Sequence, residues 1–142
     1  MSMTDTLADP HLKEVLADIK QEHQQIFALL DQLKQPCTLD RLRLLLAELH
    51  STLMSHFAHE QYPGGLYEYL GNRHPEHHPV LRQLVDDHNF IISTVRGLLE
   101  RVQLGDPQSV AGVAQEVAGL AERIQTHELR ERELAKQGGT TA

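Results

Sequence analysis

Apolar residues recur every three or four positions along four long segments of this 142-residue chain. Such spacing keeps side chains on one face of a helix, so each segment predicts an amphipathic α-helix. The four apolar stripes run over residues 12–33, 42–60, 81–102 and 110–134. No segment alternates apolar and polar residues with a period of two over a useful length. The pattern therefore predicts an all-α fold without a sheet.

Prolines, glycines and capping residues mark where these helices begin and end. Asp9-Pro10 and Asp106-Pro107 each place a capping acid before a proline, which is typical of a helix start. Pro36 stops the first helix, Thr38 can cap the second, and Gly105 ends the third. The predicted helices cover residues 10–35, 39–62, 80–104 and 107–136.

The connections between the helices set the predicted topology. Two of them, 36–38 and 105–106, are short, so the helices that they join are antiparallel neighbours. The longer connection contains the break Pro63-Gly64-Gly65, one further turn at Leu66–Leu70 and a predicted loop over Gly71–Pro79. The sequence therefore predicts an up-down-up-down four-helix bundle. We assign residues 1–10 to a flexible N-terminus, 11–136 to the bundle domain and 137–142 to a disordered tail.

Six ionisable residues interrupt the apolar stripes at positions where burial is expected. They are His23, His56, Glu60, His88, His127 and Glu131. Burying an ionised carboxylate among leucines and valines is very costly unless it is paired or bound to a cation. Each predicted helical hairpin supplies one histidine and then a His-x-x-x-Glu pair, as a two-metal site with approximate twofold symmetry would need. The six residues therefore predict a metal centre in the core of the bundle.

The spacing and the ligand types indicate which metals suit this centre. Residues four apart on a helix lie about 6 Å apart along the axis and about 40° apart around it, so such a pair can bind one cation or bridge to a second. Imidazole and carboxylate without thiolate suit iron, manganese or zinc rather than a soft metal. Six protein ligands fit two ions better than one, and they leave coordination positions for water, an oxo or hydroxo bridge or a small ligand.

Composition excludes several classes of partner. The formal net charge of -7 argues against binding to nucleic acid or to anionic lipid, because both need basic patches. The longest apolar runs are only a few residues, so no membrane span is predicted. The single cysteine, Cys37, rules out an internal disulfide and fits a reducing cytoplasm, where we expect the protein.

Acids and histidines beside the six residues have less certain roles. His59 precedes Glu60, and a supporting contact to the site and simple exposure are both compatible with its position. Glu22 and Asp87 directly precede two of the histidines, but they point about 100° away from them on their helices. We therefore predict that Glu22 and Asp87 are solvated.

The region between the second and third helices carries further candidates. His74 and His78 have the spacing of a ligand pair, but Pro75 lies between them. Tyr62 follows Glu60 closely and either ends the helix or places a phenol beside the metals. The sequence does not decide whether these residues join the site.

Three segments carry a resemblance to a known family, and they are His56-Phe57-Ala58-His59-Glu60, Asp87-His88 and His127-Glu128-Leu129-Arg130-Glu131. At these positions the chain resembles the hemerythrin-like, or HHE cation-binding, family over about residues 11–135. The resemblance implies an up-down four-helix bundle that holds a non-haem di-iron centre with an oxo- or hydroxo-type bridge and bridging carboxylates. It carries ligand roles to the same six residues.

The chain also departs from this family in two places. Oxygen-carrying hemerythrins of invertebrates use five histidines, with a His-x-x-x-His pair on the third helix, whereas the third helix here offers only His88. Many bacterial members have a second acid after the position of Glu60, and this chain has Gln61. The pattern of four histidines and two glutamates is closer to the bacterial members.

Three classes of function follow from these observations. The first is a di-iron protein that binds or senses dioxygen, nitric oxide or peroxide. The second is an enzyme that reduces nitric oxide or peroxide at the same two iron ions, and turnover would distinguish it from the first. The third is a helical interaction module that is loaded with zinc or free of metal, which elemental analysis would identify. Manganese is a lesser alternative to iron, and the sequence does not identify a protein partner.

Overall fold

Helices make up nearly all of the structure, a computed structural model that describes residues 10–61, 64–105 and 107–137. In chain order they are α1 (Pro10–Leu33), α2 (Leu39–Gln61), α3 (Leu66–Arg73), α4 (His78–Leu104), α5 (Pro107–Val110) and α6 (Val113–Gln137). A short 3-10 helix at Pro75–His77 joins α3 to α4. No strand occurs within the described ranges. The prediction of an all-α four-helix bundle is confirmed.

The four long helices pack as a ring. α1 packs against α2, α2 against α4, α4 against α6, and α6 back against α1. The short helix α3 contacts α1, α2 and α4. α3 lies between the two hairpins in the chain. Its contacts with three of the four long helices place it over one end of the bundle. None of the described helices combines the length and the hydropathy needed to cross a membrane.

The ends of the helices agree with the sequence in part. Gly105 adopts a left-handed φ of 71° and ends α4, and the Arg41 amide donates a hydrogen bond to Thr38 Oγ1 at the start of α2. These two predictions are confirmed. The predicted capping residues Asp9 and Asp106 lie outside the described residues, as do Tyr62, most of the predicted N-terminus and most of the predicted tail.

Two helix predictions were wrong. Most of Gly71–Pro79, predicted as a loop, is helical, because α3 continues to Arg73 and α4 begins at His78. Pro79 lies in the first turn of α4, where a missing amide hydrogen costs nothing. The predicted fourth helix is broken after α5, since Gly112 adopts a left-handed φ of 82° that interrupts regular helix.

Two apolar clusters form the core, and a polar layer separates them. The larger cluster includes Ile26, Ile91 and Ile124, and the smaller cluster includes Ile19 and Leu84. Along α1, α4 and α6 the side chains between the two clusters are those of the predicted metal ligands. The apolar spacing of the helices therefore places these polar residues at one level of the bundle.

Candidate metal centre

The structure brings all six predicted ligands together in this polar layer. One comes from α1, two from α2, one from α4 and two from α6: His23, His56, Glu60, His88, His127 and Glu131. The last five have relative exposures of 4 % or less, whereas the side chain of His23 is 20 % exposed. His23 is therefore the member of the layer with the most contact with solvent.

The six residues form two overlapping sets that share both glutamates. We call His23 and His56 the open half of the layer, and His88 and His127 the closed half. In each half, one nitrogen or oxygen atom from each histidine and from Glu60 and Glu131 lies within 4.8 Å of the others. The glutamates therefore lie between two positions that could each hold a cation.

The two oxygens of Glu60 face opposite halves. Glu60 Oε1 is 3.1 Å from His88 Nε2, and Glu60 Oε2 is 3.5 Å from His56 Nε2. Glu131 Oε1 is 3.6 Å from His127 Nε2. A carboxylate with one oxygen towards each half has the geometry of a bridge between two cations.

Buried polar atoms in this layer lack partners, and this tests whether a metal fits. Within the described residues, His23 Nε2, His56 Nε2, Glu131 Oε1 and both carboxylate oxygens of Glu60 are buried without a hydrogen bond. A buried polar group without a partner costs about 1–3 kcal/mol, and more when it is charged. A cation in the open half would satisfy the two imidazole nitrogens, and the carboxylate oxygens of Glu60 and Glu131 could serve a cation in either half. The Nε2 atoms of His88 and His127 lie 3.0 Å apart, and these ligand types suit a pair of metal ions.

The environment also sets the protonation of the layer without metal. Burial, and next the positive charge of His56, lower the pKa of His23 to about 4. Burial and then His127 lower the pKa of His88 to about 2. Burial and the charge of Glu131 raise the pKa of Glu60 well above its usual value. Without metal, burial in this layer therefore disfavours the charged forms of His23, His88 and Glu60.

Acids from neighbouring helices hold two of the histidines at their second ring nitrogen. Glu22 Oε1 lies 3.1 Å from His56 Nδ1, and Asp87 Oδ2 lies 3.4 Å from His127 Nδ1. The side chains of Glu22 and Asp87 are only 15 % and 16 % exposed, so the prediction that they are solvated was wrong. Each acid does point away from the histidine that follows it on its own helix. That direction brings Glu22 to His56 and Asp87 to His127 on the adjacent helices.

Further contacts extend this support. His59 Nδ1 lies 2.6 Å from Glu22 Oε2, and its side chain is 53 % exposed. His59 therefore makes a supporting contact to the site and is also exposed. Burial raises the pKa of Glu22, but its hydrogen bonds with His56 and His59 outweigh that effect and lower it. Gln61 accepts a hydrogen bond from His88 Nδ1 at 2.7 Å. Such contacts fix the orientation and tautomer of a histidine ligand.

Tyr67 is a residue of the site that sequence reasoning missed. Its hydroxyl donates to Glu131 Oε2 at 2.6 Å and lies 3.0 Å from His88 Nε2 and 3.4 Å from His127 Nε2. Burial and next Glu131 raise the pKa of Tyr67 well above its usual value, so the phenol is protonated at neutral pH. The available signal was the short stripe of buried residues on α3, which includes Tyr67 and Leu70.

Glu128 was also missed, and it lies on the open side. Its carboxylate is buried, and Glu128 Oε1 is 3.4 Å from His23 Nε2. Burial and Glu131 raise the pKa of Glu128 to about 8. Ile124, Glu128, Glu131 and Ala135 share the three- and four-residue spacing of one buried face, and that spacing could have revealed it.

A cavity of about 510 Å³ reaches the open half from the surface. It lies between α1 and α6, and its inner end is lined by His23, Glu60, Glu128 and Glu131. The closed half does not line this cavity. A ligand that enters from this side therefore meets the His23 position first.

The remaining candidate histidines lie apart from the layer. His74 Nδ1 is 3.1 Å from Glu76 Oε1, and His78 Nε2 donates to the Gly71 carbonyl at 3.1 Å. Neither belongs to the two ligand sets found in the described residues. Tyr62 lies outside the described residues, so its role stays open.

Comparison with known proteins agrees with this architecture. Residues 7–137 match the family model described as the hemerythrin HHE cation binding domain. The comparisons with curated proteins and with solved structures gave no match. Since the family model covers most of the chain, this protein belongs to the hemerythrin HHE cation-binding family.

Proposed function

We propose that this chain is a non-haem di-iron protein that binds or senses dioxygen, nitric oxide or peroxide. The observation that carries the proposal is the pair of overlapping sets of buried imidazole nitrogens and carboxylate oxygens. His23 and His56 are the proposed ligands of one ion, and His88 and His127 of the other. The two glutamates, one from each His-x-x-x-Glu pair, are the proposed bridging ligands. When bound, the two iron ions supply redox chemistry and a coordination position for a small ligand.

The surrounding residues leave the open half accessible to a small ligand and bury the closed half. The cavity beside His23 supports entry of a small ligand from the open side. Around the closed half, Phe57 stacks on the His88 ring with centroids 3.8 Å apart, and Tyr67 is buried against both histidines. His88 and His127 are therefore almost fully buried, whereas the cavity beside His23 reaches the open half. The free, exposed Cys37 supports a cytoplasmic location as part of the proposal.

Metal analysis and spectroscopy test the proposal directly. The full chain, expressed with added iron and purified without oxygen, is expected to contain about two iron ions per chain. Its optical spectrum is expected to change on addition of dioxygen, nitric oxide or peroxide, with one ligand taken up per pair of ions. Less than half an ion per chain in a fully helical protein would contradict the proposal.

The same sample separates the competing functions. Sustained consumption of nitric oxide or peroxide beyond one equivalent would identify an enzyme rather than a carrier or sensor. Zinc in place of iron after expression with both metals, with no response to the three ligands, would identify an interaction module.

A further inference from the structure

The cavity beside the open half is larger than a diatomic ligand or peroxide requires. Its volume of about 510 Å³ is typical of a pocket for an organic molecule, for which roughly 300–1,000 Å³ is usual. On α1 it extends from Leu16 to His23, which are seven residues and therefore about 10 Å apart along the helix. The cavity thus has the length of a short organic chain.

Aliphatic side chains form the wall of this cavity. Leu16 and Ile19 of α1, Leu66 of α3 and Ala135 of α6 line it between the surface and the metal layer. Ile19, Leu66 and Ala135 are buried, so their surfaces are already part of the packed core. A wall of this kind favours an apolar molecular body, because burial of the ligand's own apolar surface stabilises by roughly 25 cal/mol per Å².

Three cationic side chains surround the outer part of the cavity. Lys20 of α1 and Arg132 and Lys136 of α6 all line it and are exposed. Within the described part of the chain, none of the three makes a salt bridge, and the charge of Arg132 acts on Glu128 and on His23 over a longer distance. Such a cluster is unexpected on a chain whose net charge is -7, and it favours an anion at the rim.

We propose that this cavity binds a small aliphatic carboxylate. The carboxylate group lies at the rim, where Lys20, Arg132 and Lys136 neutralise it, and the alkyl chain runs along the aliphatic wall towards His23. The inner end is lined by His23 and by the buried Glu60, Glu128 and Glu131, whereas all three basic side chains of the lining are exposed. This inference goes beyond the proposed function, since the wall and the rim belong to the fold and do not depend on iron.

Calorimetric titration of the full chain with octanoate tests the proposal in both the metal-free and the iron-loaded protein. We expect one octanoate per chain in both forms, with butyrate and octylamine at least tenfold weaker. Arg132→Gln is expected to weaken octanoate binding about tenfold or more, because it removes a charged hydrogen-bond donor. Arg82→Gln removes an exposed arginine that does not line the cavity and should leave the affinity unchanged.

A second variant protects the test against an effect of Arg132 on folding. Ala17 is exposed and lines the cavity, so Ala17→Leu narrows the wall while the rim charges and the core remain intact. It is expected to lose octanoate binding and to keep its helicity and iron content. Equal octanoate affinity in Arg132→Gln and Arg82→Gln would overturn the proposal.

Binding that occurs only with iron, and equally for butyrate, would place the carboxylate on the metal and would also overturn it. Absence of saturable octanoate binding in both forms has the same consequence. Failure of the proposed function would appear separately, as a lack of iron in a protein whose metal-free form still binds octanoate.

Discussion

The two halves of the metal layer use the same ligand types but differ in their surroundings. In the closed half, Gln61 and Asp87 contact the Nδ1 atoms of His88 and His127, and Tyr67 donates a hydrogen bond to Glu131. These imidazoles have little freedom to turn. The closed half is therefore arranged for a metal ion before the ion arrives.

The open half is supported on one side only. His56 is held by Glu22 at Nδ1, whereas no side chain in the described residues holds the second ring nitrogen of His23. His23 also borders the cavity and keeps contact with solvent. Orienting contacts typically change metal affinity by 10–100-fold, so we infer that the open half holds its ion more weakly and exchanges it faster.

Metal removal is expected to have the largest effect, and it tests whether the layer depends on its ions at all. Binding to the folded state alone stabilises by about 4 kcal/mol when free metal exceeds its dissociation constant a thousandfold. The metal-free protein should therefore melt well below the loaded protein at neutral pH. Differential scanning calorimetry of both forms measures the gap, and identical melting curves at neutral pH would contradict the prediction.

The difference in melting temperature between the loaded and the metal-free protein should become smaller in acid, and the directions of the pKa shifts give the pH range. The pKa of Glu60 and of Glu128 is raised in the metal-free fold, to about 8 for Glu128, so that fold gains protons and stability as pH falls from about 8 towards 4.5. Metal binding requires an ionised carboxylate at Glu60, whose pKa is raised, so the stabilisation by metal declines as the pH falls. Below about pH 6.5 histidines bind protons in the unfolded chain, whereas the lowered pKa of His23 and His88 keeps these two from doing so in the folded chain. This difference lowers the free energy of unfolding of both the metal-free and the loaded form.

Loss of a shared glutamate should affect both halves together. Glu60→Ala and Glu131→Ala are each expected to reduce metal content from about two ions per chain to less than one, because each removes a ligand from both sets. His59→Ala is the matched control, since His59 contacts Glu22 and belongs to neither set. Elemental analysis of dialysed protein gives the result, and equal metal content in all three variants would exclude the assigned bridging roles.

Substitution of one histidine should remove the ion of its own half and leave the ion of the other half in place. His23→Ala leaves the closed half intact, so we expect about one ion that a chelator removes slowly. His88→Gln leaves only the open half, so we expect less than one ion, and a chelator should remove it at least tenfold faster. Circular dichroism checks that both variants stay helical. Equal release rates would show that the difference in surroundings does not set affinity.

The sequence predicted the fold and the six central residues for one physical reason. A helix in a bundle buries a stripe of fixed period, so an ionisable residue on that stripe is visible in the sequence as a buried charge. The same reasoning did not predict that Pro79 lies inside a helix. A proline disrupts the interior of a helix but is well tolerated in its first turn. The family match over residues 7–137 agrees with the predicted family and fold.

The contacts around the ligands could not be predicted in this way. Whether Glu22 and Asp87 reach a histidine depends on the rotation of one helix against its neighbour, and a single-helix projection does not contain that rotation. Tyr67 lies on an eight-residue helix whose position over the bundle is set by the connection between the hairpins. The asymmetry between the two halves therefore arises from packing between helices.

Tyr67→Phe gives the smallest and sharpest test of this asymmetry. The substitution keeps the ring and removes the hydroxyl that donates to Glu131 and contacts both closed-half histidines. We expect two ions per chain to remain when metal is in excess. The more slowly released ion should bind about tenfold more weakly, which is about 1.4 kcal/mol, because one orienting hydrogen bond is lost.

Tyr69→Phe is the matched control, since it removes a hydroxyl from the same short helix. Tyr69 Oη is buried without a hydrogen-bond partner in the described residues, so its loss removes no contact to the metal layer. Chelator-release kinetics of the two variants should show two well-separated phases for Tyr69→Phe and a narrower separation for Tyr67→Phe. If both variants released their ions as the unmodified protein does, the Tyr67 hydroxyl would make no contribution to metal binding in the closed half.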